Sequence, residues 1–371
     1  MSSKAASKSD DPPLLEPRQN LDLMGHEAAE GTLLRAWESG RLPHAWLITG
    51  ARGIGKATLA YRFARFVLAA GNAQGGALFG DEPSSLALDP DHPVCRQVVA
   101  GGHPDMFVLQ PGMPHPDRKG QVASDILVGH VRQAVHFCNM TPASAQWRVV
   151  IVDPVDEMTP NAANALLKVL EEPPRNALIL LVSHAPARLL ATIRSRCSQL
   201  ALPALDEQTV RGLLAQHAPG LDSDDAAALA RLSEGSIGRA LMLGGAGGLD
   251  LYRDLIGLLR EIPGAPAERL HGFADRLSQG GEAGSFRLGG ELLGWWLARL
   301  VRAGASGTMP DEVVSGEGEA MHRLLDRASL EQWLELWEKI GRLFGRAERA
   351  NFDRKQVVLT AFLEIDALIA R

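Results

Sequence analysis

The sequence predicts an α/β domain built on a parallel sheet, followed by a region that is helical throughout. Two observations carry this. Through Leu202, short apolar strands alternate with helical patterns, the arrangement that buries a parallel sheet under helices on both faces. After Pro203 the strand-like runs stop, and only apolar residues at helical spacing recur. A third observation sharpens the first: the opening strand runs through a glycine-rich turn directly into a helix.

Taken in order, Met1–Pro17 is rich in Ser, Lys, Asp and Pro and is expected to be a disordered lead. Glu27–Gly40 places Leu33, Leu34 and Trp37 at helical spacing, with Gly40 as the stop. His44–Thr49 reads as a strand and Lys56–Ala70 as a helix. Gly71–Pro93 has no strong period and is rich in Gly, Ser, Asp and Pro, so a surface insertion is expected. Asp105–Leu109 is the second strand, Gly112–Gln121 a polar loop, and Ile126–Asn139 a helix. Val149–Asp153 and Ile179–Ser183 are strands on either side of a helix over Asn161–Leu170, and Leu200–Leu202 is a last strand. Asp206–His217, Asp222–Glu234 and Arg239–Leu243 suggest three short helices, with Gly244–Gly248 as a hinge. Beyond Leu249, Glu291–Arg302, Leu330–Glu348 and Phe352–Ile369 are helical, and Ala303–Glu319 is expected to be a loop. The expected boundaries are a lead over 1–17, an α/β domain over 18–204, a helical lid over 205–247 and a helical domain over 248–371.

The chain of 371 residues has room for two or three domains, and 46% hydrophobic content is ample for packed cores. A net charge of −6 argues against a protein that coats nucleic acid unaided, because such binding is dominated by cationic side chains on phosphates. No apolar run approaches the roughly 20 residues that span a bilayer, and the polar lead lacks a signal-peptide core. A cytoplasmic protein with no membrane partner is the expectation. Cys95, Cys138 and Cys197 lie far apart without CxxC spacing, which suggests neither a disulfide framework nor a zinc knuckle.

The chemistry-bearing residues fall in two places. Gly50, Gly53 and Gly55 precede Lys56 between a strand and a helix, so backbone N–H groups can converge on a phosphate at a helix N-terminus. Lys56 would reach the outer phosphates. The hydroxyl that should follow it to hold Mg²⁺ is replaced by Ala57, and Thr58 lies one residue late, about 100° around the helix. Asp153 ends its strand as a magnesium-side carboxylate would. Pro154 follows it and offers no base. Asp156 and Glu157 read most simply as acidic residues suiting a helix N-terminus. The second place is Ser195-Arg196-Cys197, just after a helical stretch, with Arg194 as a near neighbour. Taken alone, that arginine fits a helix C-terminal cap.

The run from Arg148 to Cys197, with Asn164–Pro174 inside it and Ser195-Arg196-Cys197 at its end, resembles the clamp-loader branch of the AAA+ ATPases. Within that branch it is similar to the delta-prime subunits of bacterial DNA polymerase III. The resemblance covers Leu21 to about Leu243. It implies a RecA-like AAA+ sheet with a helical lid and an all-α collar domain that assembles into a hetero-pentameric ring. The implied partners are gamma/tau and delta subunits, and, through the complex, the sliding clamp and primer-template DNA. It also implies that Arg196 acts as an arginine finger on a neighbour's nucleotide. Hydrolytic members follow the strand-end aspartate with a glutamate, which this chain lacks. ATP or ADP held weakly and not hydrolysed is the cofactor expected at Gly50, Gly53, Gly55, Lys56, Ala57, Thr58 and Asp153. Ser183 falls where the family puts a polar sensor of the γ-phosphate, and a strand-end cap is the competing role. The family's lid arginine falls at Gly238, one position before Arg239. Upstream of His103-Pro104-Asp105 only Cys95 remains of the zinc ligands many relatives carry, with Asp91 and His92 near it, so no structural zinc is expected. The competing readings are an active AAA+ motor subunit of the gamma/tau kind, disfavoured by Ala57 and Pro154, and a P-loop kinase or GTPase, for which no acceptor-substrate motif is present.

Overall fold

The computed structural model describes residues 16–73, 85–279, 283–350 and 352–370. The expected lead up to residue 15, and residues 74–84 of the expected insertion, lie outside them. The chain divides into two compact units. One contains the residues up to Pro219 together with Glu234–Arg239, and the other Gly220–Ser233 with Ala240 onward. The stretch read as a separate lid is thereby shared between the two.

The first unit is built on five strands, β1 (Ala45–Thr49), β2 (Met106–Leu109), β3 (Arg148–Val152), β4 (Ala177–Ser183) and β5 (Ser198–Ala201). They pair in the order β2-β3-β4-β1-β5, every pairing parallel. β1 therefore lies between β4 and β5, with Thr49 opposite Ser183. The helices are α1 (Glu27–Glu38), α2 (Lys56–Ala73), α3 (Pro93–Val99), α4 (Val128–Asn139), α5 (Pro160–Glu171), α6 (Ala191–Arg194) and α7 (Glu207–His217). Alternate strand residues serve opposite faces. Trp46, Ile48, Val149, Ile151 and Leu180 pack with Leu33, Phe63, Val67 and Val94 of α1–α3. Leu47, Val150, Val152, Ile179 and Leu181 pack with Val131, Leu166 and Leu170 of α4 and α5. Each such side chain contributes about 1.5–3 kcal/mol on burial, so both faces are needed to hold the sheet.

α3 begins at Pro93, the last residue of the expected insertion, in a stretch to which the sequence assigned no element. Pro93 sits in the first turn, where a proline costs nothing, and His92 Nδ1 accepts from Val94 N at 3.2 Å. Val94, Cys95 and Val98 then turn inward. The polar loop after β2 folds back on itself, with Gly112 N donating to Ala123 O at 2.7 Å and Ala123 N to Met113 O at 2.9 Å.

His103-Pro104-Asp105 has a structural job. The buried Asp105 carboxylate accepts from the backbone N–H groups of Ala143, Ser144 and Ala145 at 2.6, 2.7 and 2.7 Å, and from the Ser144 hydroxyl at 2.9 Å. His103 Nδ1 accepts from Asp105 N, and Arg148 reaches the same loop through the carbonyls of Met140 and Thr141. The loop before β3 is thus pinned to the foot of β2.

The second unit is helical. It holds α8 (Ser223–Leu232), the end of α9 (Ile237–Gly245), α10 (Gly248–Glu261), α11 (Ala267–Gln279), α12 (Ala283–Ser306), α13 (Glu317–Leu325), α14 (Leu330–Ala350) and α15 (Arg354–Ile369). α12 packs along α14 and α11 along α15, with Trp296 and Trp333 fully buried. The loop expected over Ala303–Glu319 is shorter at both ends. Ala303 is buried and carries α12 on to Ser306, before Gly307 turns at φ 68°, and the buried Glu317 opens α13. Glu317 accepts from the Tyr252 hydroxyl at 2.6 Å and from Val313 N at 2.7 Å, with Arg299 Nε 3.5 Å away. No helix of the described residues is long and apolar enough to cross a membrane.

Asp105→Ala should destabilise the chain by about 3 kcal/mol in urea unfolding, because it removes a buried acceptor from three backbone N–H groups, that of the buried Ala145 among them. Burial pushes the Asp105 carboxyl up, and the hydrogen bonds from Ala143, Ala145 and Ser144 outweigh it and hold the group below its ordinary value. Its stabilisation is therefore present above about pH 4 and lost as pH falls through the depressed value. Asp105→Asn should flatten the acid limb of the stability profile.

Candidate functional site

The carboxyl ends of β1, β3 and β4 are adjacent, and the sequence places its chemistry there. β1 ends at Thr49 and α2 starts at Lys56, leaving Gly50–Gly55 to make the turn. Gly50 lies so close to the chain after β5 that a Cβ would stand 2.6 Å from the Leu202 carbonyl oxygen. Gly53 has φ 77°, and a Cβ there would meet Ser236 Oγ at 2.5 Å and Gly238 Cα at 3.1 Å. No other residue type fits either position without displacing backbone.

Lys56 is 3% exposed. Its ammonium donates to Gly50 O at 2.8 Å and to Ala51 O, so it fills the loop it belongs to. Burial lowers its pKa to about 8, against the opposing pull of Asp153 and Asp156. Three other bonds close on the same turn. The His26 ring donates from Nε2 to Ile54 O at 2.6 Å, Ser236 Oγ donates to Arg52 O at 2.8 Å, and Gly238 N donates to Gly53 O at 2.9 Å. Ala57 is half-buried beside Lys56, and Thr58 is buried on α2.

Asp153 follows β3, and burial pushes its carboxyl above the ordinary value while Lys56 pulls it down. It also lines a cleft of about 590 Å³ with Tyr61, His103 and Gln110. Asp156 departs from the expected helix-dipole role. The residues after Pro154 form a single 3-10 turn, and Thr159 is the cap of α5, accepting from Ala162 N. Asp156 instead accepts from Ser183 Oγ at 2.8 Å, from His184 N and from Ala185 N at 3.4 Å. Ser183 is buried and its hydroxyl is engaged there. The signal for this was not readable locally, since 27 residues separate the partners. His184 loses its proton readily: burial, then Lys56, lowers its pKa to about 4, so it is neutral at pH 7.

The loop donors fit a phosphate in part. The glycine turn and Lys56 are in place, while no hydroxyl stands at Ala57 for a metal, and Lys56 is held by its own loop. Among the described residues no group of three or more His, Cys, Asp or Glu could hold a metal ion. Cys95 is buried, as is Cys197, whose thiol burial pushes up to about 11.

Arg196 stands apart from the strand-end cluster. It follows the four-residue α6, and its partners are Glu171 Oε1 at 2.8 Å, Thr192 O at 3.0 Å and Ser195 Oγ at 3.4 Å. Arg239 keeps company with Glu234 at 3.9 Å.

Residues 25–206 match the family described as "DNA polymerase III, delta subunit". That span holds α1 through β5 and every site residue named above except the Glu234–Arg239 segment. Over it, the chain is similar to the delta-prime subunits of DNA polymerase III. The chain is 37% identical over 204 residues to the DNA polymerase III subunit delta' of Pseudomonas aeruginosa, covering 55% of this chain and 56% of that one. It is 34% identical over 211 residues to the delta' of Escherichia coli, covering 57% of each. The tau subunit of Escherichia coli is 30% identical over 234 residues, 61% of this chain and 32% of tau. The chain thus spans little more than half the length of the delta-prime relatives. The architecture is the expected one in its parallel sheet with helices on both faces and its helical C-terminal region.

The Lys56 environment gives a pH signature. Folding depresses its pKa from 10.5 to about 8, so the folded chain binds fewer protons between those values and gains stability as pH rises through them. The difference in unfolding free energy between wild type and Lys56→Met should be flat below pH 7 and climb between pH 8 and 10.5. A flat difference throughout would mean the lysine is solvated.

Proposed function

We propose that the chain is a clamp-loader subunit of DNA polymerase III that does not itself turn over ATP and that lends Arg196 to the nucleotide of a neighbouring ATPase subunit. The observation that carries this is the split between the two places. The strand-end cluster keeps a phosphate turn and Lys56 but pairs Asp153 with Pro154 and Lys56 with Ala57. In-line attack on a γ-phosphate needs a metal site and a positioned water; here the metal site keeps Asp153 but lacks a hydroxyl at Ala57, and Pro154 offers the water no base. Arg196, by contrast, is complete: always charged, planar, and on the surface at the end of a short helix.

The partners in this reading are gamma/tau and delta subunits in a hetero-pentameric ring, with the sliding clamp and primer-template DNA met through the assembly. ATP or ADP is held weakly and without magnesium by Gly50, Gly53, Gly55 and Lys56. The helices after Gly247 serve as the collar. Exposed Leu334 and Trp337 on α14, and Leu363 on α15, suit packing beside another subunit. The alternative, an active motor subunit of the tau kind, draws on the retained Lys56 and glycine turn.

Arg196→Ala should leave folding and assembly nearly unchanged and should cut DNA-stimulated ATP hydrolysis by the complex by roughly tenfold or more, the scale of a lost finger. Undiminished hydrolysis would return the arginine to the status of a helix cap. ATP turnover by the isolated chain that disappears in Lys56→Ala would favour the motor reading instead.

A further inference from the structure

We infer that Glu171 is a latch that holds the Arg196 guanidinium on its own subunit until a neighbour's nucleotide competes for it. This rests on the finger reading of Arg196. Glu171 is the last residue of α5 and Glu172 follows it as the C-cap. Helix carbonyls at that end carry partial negative charge, so two acidic residues there are placed against the dipole and create a site that attracts a cation. Arg196 is the cation that answers, its Nη2 lying 2.8 Å from Glu171 Oε1. Its other terminal nitrogen is also committed, donating to Thr192 O at 3.0 Å and lying 3.4 Å from Ser195 Oγ.

A guanidinium that bridges a neighbour's phosphate oxygens uses those same two nitrogens. While they are held at home, Nη1 has both of its N–H groups engaged and Nη2 one of its two, so the end-on fork is closed to a phosphate. The Glu171 carboxylate would also repel an approaching phosphate. Opening the latch is therefore a step on the way to catalysis in trans. The barrier it sets is small, because the two side chains are 35% and 48% exposed and a half-solvated ion pair is weak. A weak latch suits a finger that must be released by ring closure and recaptured afterwards.

The test uses the assembled complex with Glu171→Gln, which keeps shape and removes charge. DNA-independent ATP turnover should rise about two- to fivefold, while the DNA-stimulated rate changes little, since the latch is already open there. The ratio of variant to wild type should fall towards one as salt is raised, because an exposed pair is screened. In the isolated chain, rotation of the Arg196 guanidinium followed by NMR should quicken in Glu171→Gln. Arg196→Ala, alone and combined with Glu171→Gln, separates the two levels of the reading. If Arg196→Ala lowers the rate and the double variant matches it, Glu171 acts through Arg196. If Arg196→Ala lowers the rate but Glu171→Gln leaves it unchanged or reduces it, the latch is overturned and the finger stands. If Arg196→Ala has no effect, the finger reading falls and the latch with it.

Discussion

Parallel pairing of β1 with β4 on one side and β5 on the other is the constraint from which the rest of the first unit follows. Parallel strands cannot be joined by tight turns, so each must be reached by a crossover, and the crossovers place helices over both faces. Because β1 is reached first and then flanked by later strands, its carboxyl end opens between Asp153 after β3, Ser183 at the end of β4 and Leu202 after β5. A crevice at such a switch of strand order is where an α/β sheet binds ligands. Gly50 against the Leu202 carbonyl shows how tightly the turn is drawn into it.

Around that crevice several of the polar groups bond to each other. Lys56 answers the carbonyls of its own turn, Asp156 answers the end of β4, and Ser236 and Gly238 answer the carbonyls of Arg52 and Gly53. In a site built for turnover, such donors would be held ready for substrate and paid for in stability. Here they bond within the fold, tying the glycine turn to the chain after Glu234 and the turn after Pro154 to the end of β4.

Much of this was legible in the sequence, and the parts that were not share a cause. β1 through β4 announce themselves as apolar runs with β-branched residues, and the glycine turn reads from its spacing alone. The helix at Pro93–Val99 is short and was hidden behind Gly, Ser, Asp and Pro. Its cap is a histidine, a residue that carries no N-cap signal. Ala303–Ser306 reads as loop by composition and is helix because Ala303 is buried. Asp156 bonded to Ser183, and Glu171 bonded to Arg196, are contacts between distant elements, and neither spacing nor periodicity encodes them. Local patterns specify elements. Long-range pairing of polar side chains becomes visible only when the sheet has set the distances.

The connection between α12 and α13 illustrates the difference between composition and behaviour. Residues 307–316 lie inside Ala303–Glu319, the stretch rich in Gly, Ser, Asp and Glu that reads as a loop. Yet the Asp311 carbonyl accepts from Arg299, Val313 donates to the buried Glu317, and the Glu312 side chain accepts from Gly316 N and Gly318 N. Ordering of that kind denies a protease the extended backbone it must grip. It also makes the segment a poor place to insert a tag or to cut the chain into separately expressed halves.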